Sequence, residues 1–160
     1  MIPNKRTLIG LAVLGSAGLL VGAYVFQAMG YAPCKMCLWQ RWPHAAAIVV
    51  GALWTFLPIT LLIWLGAASA LTTSAIGAYH TGVERGWWEG PSSCSGGGGL
   101  DLGSLSGSEL LSTDIAETVV MCDEVVWAFA GISMASWNAI LSLLLAALWL
   151  YALSLRRDDA

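Results

Sequence analysis

Between Arg41 and Glu84 the chain carries no charged side chain. As one straight helix, the part from Pro43 to Tyr79 would be about 55 Å long at 1.5 Å per residue, close to twice the ~30 Å hydrocarbon core of a bilayer. Such a run must turn back on itself, and Pro58, in Thr55-Phe56-Leu57-Pro58-Ile59-Thr60, is the residue placed to break it. Thr7 to Met29 is a second charge-free run, and a third extends from about Ile132 to Leu153 and ends at Arg156-Arg157. The expectation is an all-α integral membrane protein of one domain, residues 1–160. Its four-transmembrane-helix bundle has spans at about 7–29, 40–57, 59–80 and 132–153, joined by loops at about 30–39 and 81–131.

Composition agrees. Hydrophobic residues make up 58% of the chain and charged residues 11%, whereas soluble domains carry about 25% charge. The net charge of −3 is small and says little by itself; no nucleic-acid partner is expected. The first apolar run exceeds the roughly 7–15 residues of a signal-peptide core, so it is read as a retained helix. Gly18 and Gly22 within it form a small-xxx-small pair, which suits close helix packing or is a chance spacing in a glycine-rich segment.

Lys5, Arg6, Arg156 and Arg157 flank the outermost spans. Basic residues mark the cytoplasmic side, and four spans put both termini there. The predicted location is therefore a cytoplasmic membrane, with the 30–39 and 81–131 loops on the opposite, oxidising side. Trp39, Trp42, Trp87, Trp88, Trp127 and Trp137 fall near that interface, where tryptophan anchors. Eight of the ten acidic residues lie between Glu84 and Glu124, in the long polar loop. That loop contains four consecutive glycines, Gly96 to Gly99, which are flexible by composition. From Ser108 to Val120, Leu111, Ile115 and Val119 recur at helical spacing between acids, which predicts a short amphipathic helix.

The four cysteines fall in the two outward loops: Cys34-Lys35-Met36-Cys37 in the first, Cys94 and Cys122 in the second. Four cysteines allow three disulfide connectivities. They could also hold zinc, with His44 or His80 as substitutes, but Cys94 and Cys122 lack the second close-spaced pair of zinc ribbons. Structural disulfides are the plainer alternative: closing the Cys94–Cys122 loop would contribute about 3–4 kcal/mol. A bridge between Cys34 and Cys37 closes almost no chain, so close pairs of this kind make more sense as reversible dithiols. If the second helix starts near Leu38, Cys37 sits at its N-terminus, where the dipole favours a thiolate. Arg41 follows one turn later on the same face. Alone it would snorkel to headgroups; beside a thiolate it could stabilise that sulfur or the negative charge developing on a reduced acceptor.

Pro33-Cys34-x-x-Cys37-x-x-Gln40-Arg41 after a first span resembles the disulfide-bond-formation protein B (DsbB) family. So does Gly77-Ala78-Tyr79-His80-Thr81-Gly82-Val83-Glu84 followed by Gly90-Pro91-x-x-Cys94, and the likeness covers essentially the whole chain. The resemblance implies a bacterial inner-membrane oxidoreductase that reoxidises a DsbA-like periplasmic thiol oxidase and passes the electrons to a membrane quinone, ubiquinone or menaquinone. It implies that Cys94 and Cys122 form the disulfide offered to that partner, Cys94 being the sulfur attacked. It further implies that Cys34 exchanges with the loop pair, that Cys37 faces the quinone as thiolate, and that Arg41 lies beside the quinone ring. His44 and His80 are candidates to relay protons or hydrogen-bond the quinone. DsbA-type oxidases stand near −120 mV, so a glutathione-like acceptor at about −180 to −210 mV lies uphill by roughly 3–4 kcal/mol. A higher-potential quinone does not. The alternatives are a vitamin K epoxide reductase-like enzyme, whose loop cysteines precede its Cys-x-x-Cys, and a non-enzymatic membrane scaffold with structural disulfides.

Overall fold

The computed structural model describes residues 4–91, 94 and 120–155. The amphipathic helix expected at 108–120 and the glycine run therefore lie almost wholly outside the described residues. Four long helices dominate: α1 (Lys5–Ala28), α2 (Lys35–Phe56), α3 (Thr60–Glu84) and α4 (Met134–Ser154). Asn4 caps α1, its side chain accepting from the Thr7 amide at 2.8 Å, and Ser133 caps α4 by accepting from the Ser136 amide at 3.2 Å. Pro58 separates α2 from α3 as the sequence predicts. Just before α4, β1 (Ala128–Phe129) pairs antiparallel with β2 (Ile132–Ser133), Ala128 opposite Ser133. The two turn residues, Ala130 and Gly131, have φ of 54° and 76°, the left-handed pair that a tight hairpin needs.

The second helix begins earlier than expected. Pro33 keeps Ala32 extended, and the Cys34 side chain then accepts from the Cys37 amide as an N-cap. The first loop therefore ends at Cys34 instead of about residue 39, and Cys37 lies within the first turn of α2. α1, α3 and α4 are long and apolar enough to cross a membrane. α2, with Lys35, Gln40, Arg41 and His44 in its first half, is more polar.

The helices form a square in which α3 packs against α2 and α4, and α1 against the same two. The lower core gathers around Trp149, which is fully buried with Leu8, Ile9, Trp54, Ile63 and Ala67. Trp149 fits because α3 presents a glycine to it: a Cβ on Gly66 would lie 2.6 Å from the indole. Close approach also falls at Gly77, where a Cβ would meet the Ala135 carbonyl at 3.0 Å. The expected Gly18/Gly22 contact is not made. A Cβ at either position meets nothing within 4 Å, because both glycines border a cavity.

Overpacking a filled core costs about 1–3 kcal/mol. Gly66→Ala should therefore lower unfolding stability in detergent by about that much. Gly10→Ala, where a Cβ meets nothing within 4 Å, should be neutral or gain up to ~1 kcal/mol from helix propensity. Equal effects from the two substitutions would show that the Trp149 contact is not tight.

Candidate redox site

The two cysteine pairs meet at one end of the bundle. Cys34, Cys94 and Cys122 are buried in a single cluster with Met36 and Val83, and Cys37 packs against it. Cys94 and Cys122 are disulfide-bonded, while Cys34 and Cys37 are free thiols. Short backbone bonds hold the loop pair in place: the Cys122 amide donates to the Cys94 carbonyl at 2.9 Å and the Cys94 amide to the Pro91 carbonyl at 2.7 Å.

Cys34 is the sulfur on which stabilising contacts converge. It stands at the N-terminus of α2, where the helix dipole favours negative charge. Its Sγ lies 3.1 Å from the Cys37 sulfur and accepts from the Cys37 amide at 3.3 Å. These contacts, with His80 Nε2 at 3.5 Å, hold the Cys34 thiol well below the usual thiol range, at about 4, the Cys37 thiol contributing most and burial opposing. The sequence puts Cys37 at the N-terminus of a helix starting near Leu38; α2 starts at Lys35, and Cys34 takes the N-cap position.

His80, on α3, is 2% exposed and is oriented from two sides. Glu84, one turn later, brings Oε1 to 4.0 Å from its Nε2 and accepts a short hydrogen bond from the Ser133 hydroxyl. On the other side, the Gln40 amide lies 3.1 Å from His80 Nδ1. The same amide nitrogen is 3.1 Å from the Met36 backbone carbonyl. A carbonyl can only accept, so Gln40 Nε2 is the donor end and His80 Nδ1 is an acceptor. In the neutral ring the proton then sits on Nε2, facing Cys34.

Arg41 turns toward α1. Its guanidinium donates to Gln27 Oε1 at 2.7 Å and to the Ala23 carbonyl at 3.5 Å, and lies 4.6 Å from the Tyr24 ring centroid. It does not contact a sulfur; it borders, with His44, a cavity of about 410 Å3. That volume lies in the range of small-molecule sites. Gly18, Gly22 and Ala23 leave room along α1, Phe26, Trp127 and Phe129 supply aromatic walls, and Cys37 lies at the sulfur end. The lining is mostly apolar and would suit a flat, lipid-soluble ring. Separately, the ligand atoms of Cys34, Cys37 and His80 lie within 4.8 Å of one another, a spacing that could hold a metal ion while the thiols are reduced.

All the sequence-selected residues thus lie in or around one site: Cys34, Cys37, Cys94, Cys122 and His80 in the sulfur cluster, Arg41 and His44 along the cavity. Gln40, part of the cysteine motif but given no role there, links α2 to α3 and α4 through hydrogen bonds with Thr73 and Asn138, two residues that the sequence reading leaves out. Their signal was available, since polar residues within apolar helices face the interior and pair with one another.

A membrane-type helical bundle that packs a free dithiol against a separate disulfide defines a thiol–disulfide exchange protein. The chain matches the family "Disulfide bond formation protein DsbB" over residues 5–152 and belongs to it. It is 33% identical to the disulfide bond formation protein B of Marinobacter nauticus, over 96% of this chain and 94% of the relative. It is also 25% identical to the uncharacterized protein RP370 of Rickettsia prowazekii, over 86% of this chain and 79% of that one. No solved structure matches it.

The depressed thiol at Cys34 has a definite sign. An acid whose pKa is lowered stays ionised above that value and protonates as pH falls through it. Thiolate absorbance of protein with Cys34 and Cys37 reduced and the Cys94–Cys122 bond intact should therefore persist on acidification to about pH 4, and His80→Phe should move its loss upward. Loss near pH 8–9, the range of an ordinary thiol, would contradict the assignment.

Proposed function

We propose that this protein is a thiol:quinone oxidoreductase of a bacterial cytoplasmic membrane, with four spans, both termini cytoplasmic and both cysteine pairs in the periplasm. Its thiol partner is a DsbA-like oxidase. The observation that carries the proposal is the single buried cluster joining a Cys94–Cys122 disulfide to a Cys34/Cys37 dithiol beside an apolar cavity.

The partner's dithiol attacks Cys94, breaking the Cys94–Cys122 bond through a mixed disulfide, and leaves as a disulfide. The reduced loop pair then exchanges with the Cys34–Cys37 disulfide, so that the loop bond re-forms and the two electrons and two protons rest on Cys34 and Cys37. His80 Nε2–H and the Cys37 donors stabilise the Cys34 thiolate as it leaves. Re-forming the Cys34–Cys37 bond sends two electrons and two protons to quinone bound in the cavity, giving hydroquinone. Arg41, its charge fixed and its guanidinium held by Gln27, supplies positive potential where the ring oxygen becomes negative.

Purified protein supplied with a reduced DsbA-type oxidase and a short-chain quinone should bleach the quinone absorbance, and Cys37→Ser should abolish it. Full activity in Cys37→Ser, or none in the wild type, would sink the proposal. Arg41→Met should lower kcat/KM for quinone by about 10–100-fold, the loss expected for a charged hydrogen-bond donor. Single-turnover exchange of Cys94–Cys122 with the partner should be unchanged. Equal loss of both steps would assign Arg41 a folding role through Gln27.

A further inference from the structure

Five buried polar side-chain atoms lack a hydrogen-bond partner among the described residues. Two of them, Arg41 Nε and His44 Nδ1, belong to residues that line the cavity and lie one turn apart on α2. Arg41 Nε is a donor. The character of His44 Nδ1 follows from the network behind it.

The Met36 carbonyl fixes Gln40 Nε2 as a donor, so Gln40 Oε1 is the atom 2.6 Å from Asn138, and Asn138 presents its Nδ2 there. Thr73 gives an independent check. Its hydroxyl hydrogen goes to the Gln40 backbone carbonyl at 3.1 Å, so its oxygen accepts from Asn138 Nδ2, also at 3.1 Å. Asn138 must then turn Oδ1 toward His44, which it meets at Nε2 at 2.9 Å. An amide oxygen only accepts, so His44 carries its proton on Nε2. In the neutral ring Nδ1 is a bare acceptor, and the residue is 4% exposed.

A bare acceptor repels a carbonyl oxygen and binds a hydroxyl. We propose that His44 Nδ1 recognises the reduced form of the acceptor: it takes the O–H of the hydroquinone, while Arg41 Nε donates to a ring oxygen. This rests on the quinone assignment above. His44 is a positioning residue for the product, and its preference is set from the far side of the bundle by Asn138 and Gln40. The stoichiometry needs no further reactant, since dithiol plus quinone gives disulfide plus hydroquinone.

The test uses full-length protein in detergent carrying Cys34→Ser and Cys37→Ser, so that the ring's redox state stays fixed. Dissociation constants are measured for a short-chain ubiquinone and for its hydroquinone. Hydroquinone should bind more tightly, and His44→Gln, which can keep the bond to Asn138, should reduce that preference about tenfold, the effect of one hydrogen bond. Asn138→Leu, which frees the tautomer, should shift the preference toward quinone. If both ring forms bind and neither substitution changes their ratio, the His44 role is wrong and the quinone site stands. If neither form binds, the quinone assignment itself fails, and this inference with it. Nitrogen NMR of wild-type protein labelled at its two histidines reads the tautomer without any substitution. Nδ1 of His44 should be unprotonated and should shift on adding hydroquinone, whereas a protonated Nδ1 overturns the proposal.

Discussion

The hydrogen bond from Gln40 to the Met36 carbonyl sets the polarity of the site. Inside a bundle with little water, each amide and imidazole has one orientation that satisfies its neighbours, and leaving a group unpaired costs about 1–3 kcal/mol. Because the Met36 carbonyl cannot donate, Gln40 must point its amide nitrogen at His80 and its oxygen at Asn138. One backbone acceptor therefore fixes a donor toward Cys34 on one side and an acceptor beside the cavity on the other. The same α2 turns provide the Cys34 cap, the Cys37 thiol and Arg41, so the sulfur chemistry and the cavity share one frame.

The bundle's energetics fit this division of labour. The half around Trp149 is apolar and tightly packed, with glycines at the contacts. The half around the cysteines carries the polar network and the open volume. Gly18 and Gly22 belong to the second half: their missing side chains leave the cavity open instead of admitting a neighbouring helix.

Much of this was legible in the sequence. Charge-free length required helices that cross a bilayer, and Pro58 marked the hairpin between α2 and α3. The order of the cysteine pairs carried the family resemblance. Local detail was harder. Pro33 and Cys34 together start α2, but a cysteine is an uncommon cap, so a start near Leu38, about one turn late, is what the sequence suggests. The Gly18/Gly22 spacing is the same whether a helix or a cavity lies opposite, and only the packing of α1 distinguishes them. The Gln40–Asn138 bond joins residues 98 positions apart, which no local pattern can register. The β1–β2 hairpin depends on two positive-φ residues, one of them Ala130, an identity that gives little sign of that backbone.

In the proposed reaction, electrons entering at Cys94–Cys122 come to rest on Cys34 and Cys37. The decisive measurement is a disulfide map of the fully oxidised protein after one equivalent of reduced DsbA-type partner, without quinone. An intact Cys94–Cys122 bond with free thiols at Cys34 and Cys37, the arrangement the structure shows, is the expected result. Free thiols at Cys94 and Cys122 with a bond retained between Cys34 and Cys37 would contradict it.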